Sequence, residues 1–180
     1  MHRLRNSLIA ALWLTVASGV LAASAEPQTL DGEEFNDTLA KVGRVYLAGQ
    51  PTEAGLEKAI GFDITTIVSL RTPKEMEGSD EVQKATSLGL DFVSIPSGGE
   101  DHPFSPTAVE RFNDVMDSTD GNLLLHCSSG TRATHLYVAW LVEYQNVSLG
   151  EALELGRKIQ FGRMPIEGYL GGKIDYEFKE

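Results

Sequence analysis

The chain has a single cysteine, Cys127, among 180 residues. An internal disulfide is therefore impossible, and so is any metal site built on several thiolates. Histidine is also scarce, at four residues. His102, His126 and His135 do not fall at zinc-ligand spacing, so no metal is expected, nor any other cofactor. Positive charge is in short supply: 15 Lys and Arg stand against 26 Asp and Glu, a net charge of −11. A surface of that sign repels nucleic acid and anionic membranes, so no nucleic-acid partner is expected. No internal repeat or low-complexity tract is visible, which excludes a solenoid. No apolar run reaches the roughly 20 residues that a membrane-spanning helix needs.

The longest apolar run, Leu8 to about Ala23, follows Arg3 and Arg5 and closes in Ala23-Ser24-Ala25. A basic start, a short apolar stretch and small residues at its end form a secretory leader. Residues 1–25 are therefore expected to be a signal peptide cleaved after Ala25, with a periplasmic or secreted product and no stable membrane span after cleavage. Without the leader, 13 basic residues face 26 acidic ones, a net charge of −13.

Residues 26–41 are polar and read as a loose leading segment. Residues 42–172 form one domain of ordinary size, and 173–180 a polar tail. Within the domain, apolar and β-branched runs at 44–51, 63–71, 91–96 and 122–127 read as strands. Helical patterns alternate with them. The first follows Thr52, a good N-cap, and a second runs from about Ser79 to Ser87, with Gly89 as its stop. A third starts at Ser105-Pro106, and a fourth spans "TRATHLYVAWLVEYQ". A fifth begins with the Ser148–Glu151 capping box, and "PIEGYL" reads as a last short helix. The alternation predicts an α/β fold: a mostly parallel central sheet of about four strands flanked by helices. In such sheets ligands sit beyond the carboxyl ends of the strands.

Cys127 stands at one of those ends, in "NLLLHCSSGTRATH", just before a helix. A turn from strand to helix points backbone N–H groups inward, and the helix dipole adds to their field. Gly130 gives the turn its conformational freedom. Arg132 can close the cradle with a two-pronged grip on an oxyanion. The same field favours a thiolate at Cys127, placed for in-line attack on a bound oxyanion and a covalent intermediate. Ser128, Ser129 and Thr131 contribute mainly their backbone N–H groups. The competing reading is a small buried hydrophobe.

"HCSSGTR" resembles the signature loop of cysteine-dependent protein phosphatases. Together with "VYLAGQPTEAGLEKAIGFDITTIVSLR" and "LGLDFVSIP", it resembles the bacterial dual-specificity-phosphatase-like family, in particular the phosphatase-like domain of beta-lactamase-hydrolase-like proteins. The likeness covers about residues 42–145 and implies a cysteine-phosphatase fold. One feature departs from the phosphatase pattern. Four residues separate Cys127 from Arg132, where phosphatases have five; four is the spacing of rhodaneses, which carry sulfur as a persulfide. The phosphatase pattern also places Ser or Thr after its arginine, where this chain has Ala133; Thr131 or Thr134 could stand in.

The resemblance implies a general acid upstream of the cysteine. Asp101, in "SGGEDHP", is the candidate, with Glu100 and His102 as neighbours that compete. It also implies that His126 supports the loop structurally. Arg71, at the end of the second strand, either draws anionic substrate or pairs with loop acids such as Glu75. His135 reads as a surface histidine. Three functions follow, in order: an exported cysteine-dependent phosphatase acting on phosphate monoesters of a protein or small molecule; a sulfurtransferase fed by a sulfane-sulfur donor; and a non-catalytic anion or phosphoprotein-binding module.

Overall fold

A computed structural model describes residues 25–160, 162 and 166–172. The leader up to Ser24 and the tail 173–180 lie outside the described residues. Six strands form one mixed sheet: β1 (Gln28–Thr29), β2 (Leu39–Val42), β3 (Val45–Ala48), β4 (Ile64–Ser69), β5 (Asp91–Ser94) and β6 (Asn122–His126), in the order β1-β2-β3-β6-β4-β5. The helices are α1 (Glu53–Gly61), α2 (Glu81–Ser87), α3 (Pro106–Ser118), α4 (Thr131–Tyr144), α5 (Leu149–Ile159) and α6 (Ile166–Tyr169).

The four strands anticipated from sequence are β3 to β6, and they pair in parallel. The count of about four is corrected to six, because β1 and β2 extend the sheet antiparallel beyond β3. This also corrects the reading of 26–41 as loose. The segment carries β1, a 3₁₀ turn (Glu33–Phe35) and the start of β2, and it buries Phe35 and Leu39 completely or nearly so. Boundaries shift as well: the strands read at 44–51, 63–71, 91–96 and 122–127 end at Ala48, Ser69, Ser94 and His126, and α2 begins at Glu81 rather than 79. Local signals fix several helix starts. Thr52 accepts the Gly55 N–H through its hydroxyl at 3.1 Å, and Ser148 and Glu151 form the reciprocal capping box.

Strand β6 lies in the middle of the parallel part, between β3 and β4. Its side chains alternate between faces, as the pleat requires. Leu123, Leu125 and Cys127 join the core packed against α3, α4, α5 and α6. Leu124 joins the other core, with Leu56 and Ala59 of α1 and Ala85 of α2. His126 alternates with Leu125 and Cys127, and so faces the α1–α2 side. Register places His126 beside Ala48 of β3 and Ser69 of β4. Three carboxyl ends therefore converge, bringing Gln50, Arg71 and Cys127 to one edge of the sheet.

Candidate active site

The turn from β6 to α4 is the site's frame. Gly130 caps α4 with φ of +86°, a region that favours glycine. A Cβ there would stand 2.5 Å from Thr38 Cγ2. The leading segment packs that closely because it pins the turn's carbonyls. The Ser128 carbonyl accepts from Asn36 Nδ2 at 2.9 Å and from the Gln50 N–H at 3.0 Å. The Ser129 carbonyl accepts from the Thr38 hydroxyl at 3.3 Å. A trans peptide sets its N–H opposite its C=O, so holding the Ser128 carbonyl outward turns the Ser129 N–H inward. The first N–H groups of α4 have no intrahelical acceptor. These are the groups from which the sequence reading builds its anion cradle.

Cys127 is 1% exposed, its thiol free and nearly closed off from solvent. Arg132 lies on the first turn of α4. The guanidinium is half-buried, which opposes its charge, but the Glu75 carboxylate and then Cys127 outweigh burial and hold it protonated more firmly than usual. Nη1 donates to the carbonyls of Ser97 (2.8 Å) and Leu70 (3.3 Å) and to Glu75 Oε2 (2.9 Å). Nη2 donates to Glu75 Oε1 (2.6 Å) and Ser128 Oγ (3.3 Å).

The sequence reading assigned the two-pronged grip to an incoming oxyanion; in the resting site Glu75 takes both prongs. Its carboxylate also accepts from the Thr72 N–H and the Ser128 hydroxyl, each at 2.9 Å. Chiefly through the Arg132 hydrogen bonds, and against the effect of burial, the carboxyl is lowered from its ordinary 4.5 to about 2. Glu75 figured in the sequence only as a possible partner for Arg71. Arg71 pairs elsewhere: Nη1 lies 3.8 Å from Oε2 of buried Glu81, and Nη2 donates to the Glu75 backbone carbonyl. Glu81 also faces His126, with 3.1 Å between Oε1 and Nε2, an ion-pair distance rather than an aligned hydrogen bond. His126 is fully buried, its Nδ1 at 3.3 Å from the Cys127 carbonyl.

Asp101 sits apart. It lies on the exposed part of the loop 97–104, and no hydrogen bond among the described residues ties it to Cys127 or Arg132. The base of that loop does meet the site. The Ser97 carbonyl accepts from Arg132, and a Cβ on Gly98, at φ +117°, would lie 3.4 Å from Arg132 Nη1. Glu100 is exposed and His102 half-exposed; the His102 carbonyl accepts from the Gly98 N–H at 2.6 Å. Phe104 ends the loop edge-on to Tyr169 of α6, with ring centroids 5.1 Å apart. Tyr169 is buried, and that burial raises its phenol above the ordinary range.

Of the two stand-in hydroxyls, Thr134 donates to the Gly130 carbonyl at 3.1 Å and is committed to its helix, while Thr131 Oγ1 lies 3.5 Å from Ser129 Oγ. His135 is buried rather than on the surface, because α4 is enclosed by α3, α5 and α6. Its Nδ1 is 2.7 Å from the Thr131 carbonyl, and burial lowers its pKa. Among the described residues, no group of three or more His, Cys, Asp or Glu could hold a metal ion, and no helix is long and apolar enough to cross a membrane.

Comparison with known proteins agrees with this frame. A beta-lactamase hydrolase-like protein of Agrobacterium fabrum is 30% identical over 115 residues, 62% of this chain and 24% of that protein. A second, from Xylella fastidiosa, is 30% identical over 98 residues, 52% of this chain and 22% of its own length. The chain thus spans about a quarter of the curated relatives it matches. In fold, it is similar to TpbA of P. aeruginosa, with a TM-score of 0.62 at 18% identity over 84% of this chain and 92% of that one. Tk-PTP in its active form superposes with a TM-score of 0.56 at 24% identity, over 72% and 88%. TpbA carrying a serine substitution has also been solved in complex with phosphotyrosine. A family model described as "DSP-PTPase phosphatase fused to NAD+ Kinase" matches residues 12–168, most of the chain, and the protein belongs to that family of dual-specificity-type phosphatases.

Proposed function

We propose that the protein is an exported phosphatase that hydrolyses phosphate monoesters through a phosphocysteine intermediate. The observation that carries this reading is that one short turn at the carboxyl end of the central strand holds Cys127 and Arg132, whose guanidinium is fixed there by the Leu70 and Ser97 carbonyls, Ser128 Oγ and Glu75. In this reading Cys127 is the nucleophile of a covalent mechanism. The Cys127 thiolate attacks phosphorus while the P–O bond to the leaving group breaks, and Asp101 donates a proton to that oxygen. Water then attacks the phosphocysteine, the Asp101 carboxylate takes its proton, and inorganic phosphate departs as the thiolate is restored. Arg132 and the amides of Ser128 to Thr131 stabilise the charge on the non-bridging oxygens. Glu75 orients the guanidinium. Arg71 and His126 act from behind the cradle. The phosphotyrosine held by TpbA supports an aryl phosphate as the first substrate to try. The leader of residues 1–25 supports a periplasmic or secreted site of action.

A second reading rests on the four residues between Cys127 and Arg132. A shorter loop offers fewer N–H groups and less room, which favours a sulfane sulfur over a phosphate ester; Cys127 would then carry a persulfide. Purified residues 26–180 assayed with an aryl phosphate, and separately with thiosulfate plus cyanide, separate the two. Phosphate release that vanadate inhibits and Cys127→Ser abolishes supports the phosphatase. Thiocyanate formation indifferent to Asp101→Asn supports the sulfurtransferase. If neither reaction turns over but phosphate is still retained through Arg132, the chain is an anion-binding module.

A further inference from the structure

Glu81 is a buried carboxylate with no part in the steps above. It is 4% exposed at the first position of α2, and neither oxygen has an aligned hydrogen bond. Burying a charge in this way is unfavourable, and a buried ion pair is seldom more stable than apolar groups of the same volume. Stability is thus a weak reason for its presence. Burial alone would raise its carboxyl, but His126, and with it Gln50 and Arg71, hold it below the ordinary 4.5, so it is an anion.

Each of those three partners reaches the reactive turn. His126 precedes Cys127 and sets Nδ1 at 3.3 Å from the Cys127 carbonyl. The Gln50 N–H donates to the Ser128 carbonyl at 3.0 Å. Arg71 donates to the backbone carbonyl of Glu75, whose carboxylate holds both terminal nitrogens of Arg132. Strand alternation puts His126 on the α1–α2 side and Cys127 on the α4 side, so Glu81 reaches the turn through the sheet.

We propose that Glu81 is a positioning residue that registers the two halves of the site against each other: Cys127 through His126, and Arg132 through Arg71 and Glu75. The proposal rests on the reading of Cys127 and Arg132 as a reactive pair, and its test needs no turnover. Cys127 is alkylated with anionic iodoacetate and with neutral iodoacetamide, and the ratio of the two rates is divided by that of free cysteine. A guanidinium set beside the sulfur raises the ratio. Local or global unfolding exposes the thiol to both reagents alike, so a purely structural role moves both rates and leaves no such preference to lose at constant stability.

Glu81→Gln, shown by cooperative thermal unfolding to be folded, is expected to lower the ratio roughly three- to tenfold, in the lower part of the range for groups coupled through one network. Glu81→Asp keeps the charge but withdraws it by one methylene from His126, and is expected to fall between. Should the Gln variant fail to fold, the Asp variant decides. A folded variant with the wild-type ratio overturns the proposal. A wild-type protein whose ratio equals that of free cysteine overturns the reactive-pair reading instead.

Discussion

The floor of the site and its rim are built from different physics. The floor is the turn from Cys127 to Arg132. Donors from Asn36, Thr38 and Gln50 fix its carbonyls, and five acceptor contacts fix its guanidinium. Behind it stands the buried set of His126, Glu81 and Arg71. The rim is the loop 97–104, with Gly98 and Gly99 at positive φ and Glu100 and Asp101 in solvent. Its base meets the floor at Ser97 and Gly98. In the proposed mechanism, nucleophile and anion grip are thus set by the sheet, whereas the proton donor is offered by a segment held at its two ends.

Substitutions at the floor should therefore be far more damaging than those at the rim. Cys127→Ser is expected to lower aryl-phosphate turnover by about 10⁴-fold or more, the scale seen when a nucleophile is removed, with phosphate binding retained by calorimetry. Next comes Asp101→Asn. It should slow hydrolysis of an alkyl phosphate about a hundredfold and that of a nitrophenyl phosphate much less, because a good leaving group needs no proton. Equal slowing of both substrates breaks the division of labour between rim and floor.

Glu75→Gln should raise the KM for an aryl phosphate roughly tenfold, with a smaller change in kcat, by freeing a guanidinium that binds the ground state as well as the transition state. The same pair carries a pH signature. The Glu75 carboxyl is depressed from 4.5 to about 2, so the stability it contributes is fully present above about pH 4.5 and is lost as pH falls through about 2. Denaturant titrations across that window should show the wild type losing more stability than Glu75→Gln. The smallest effect on activity is expected at the opposite end of the sheet. There Arg44 donates to the carbonyls of Met116, in the last turn of α3, and of Thr119 and Gly121 just after it. Arg44→Leu should lower stability by about 1–3 kcal/mol and leave turnover unchanged.

Much of the floor was legible because it is contiguous. The run from Asn122 to Arg132 contains a strand, its end, a glycine turn and a helix start, and each has a local signal. The rest was hidden for physical reasons. β1 is two exposed residues long, too short for a periodic pattern, and its partner β2 lies in a stretch whose polar neighbours conceal it. Glu75 and Glu81 stand in "TPKEMEGSDE", where charged residues ordinarily mark a solvated loop. Their burial depends on Arg132, Arg71 and His126, which arrive from other strands and helices. His135 looked solvent-facing from its spacing to Arg132, but α4 is buried along most of its circumference. Only the sheet order, with β6 inserted between β3 and β4, brings these groups together.

The most direct measurement is the mass of the Cys127 peptide after acid quenching during exposure to an aryl phosphate, and in parallel to thiosulfate. A phosphoryl group on Cys127 from the first reagent, absent in Arg132→Ala, is the predicted result. An unmodified cysteine there, with an added sulfur from thiosulfate, contradicts the phosphocysteine account.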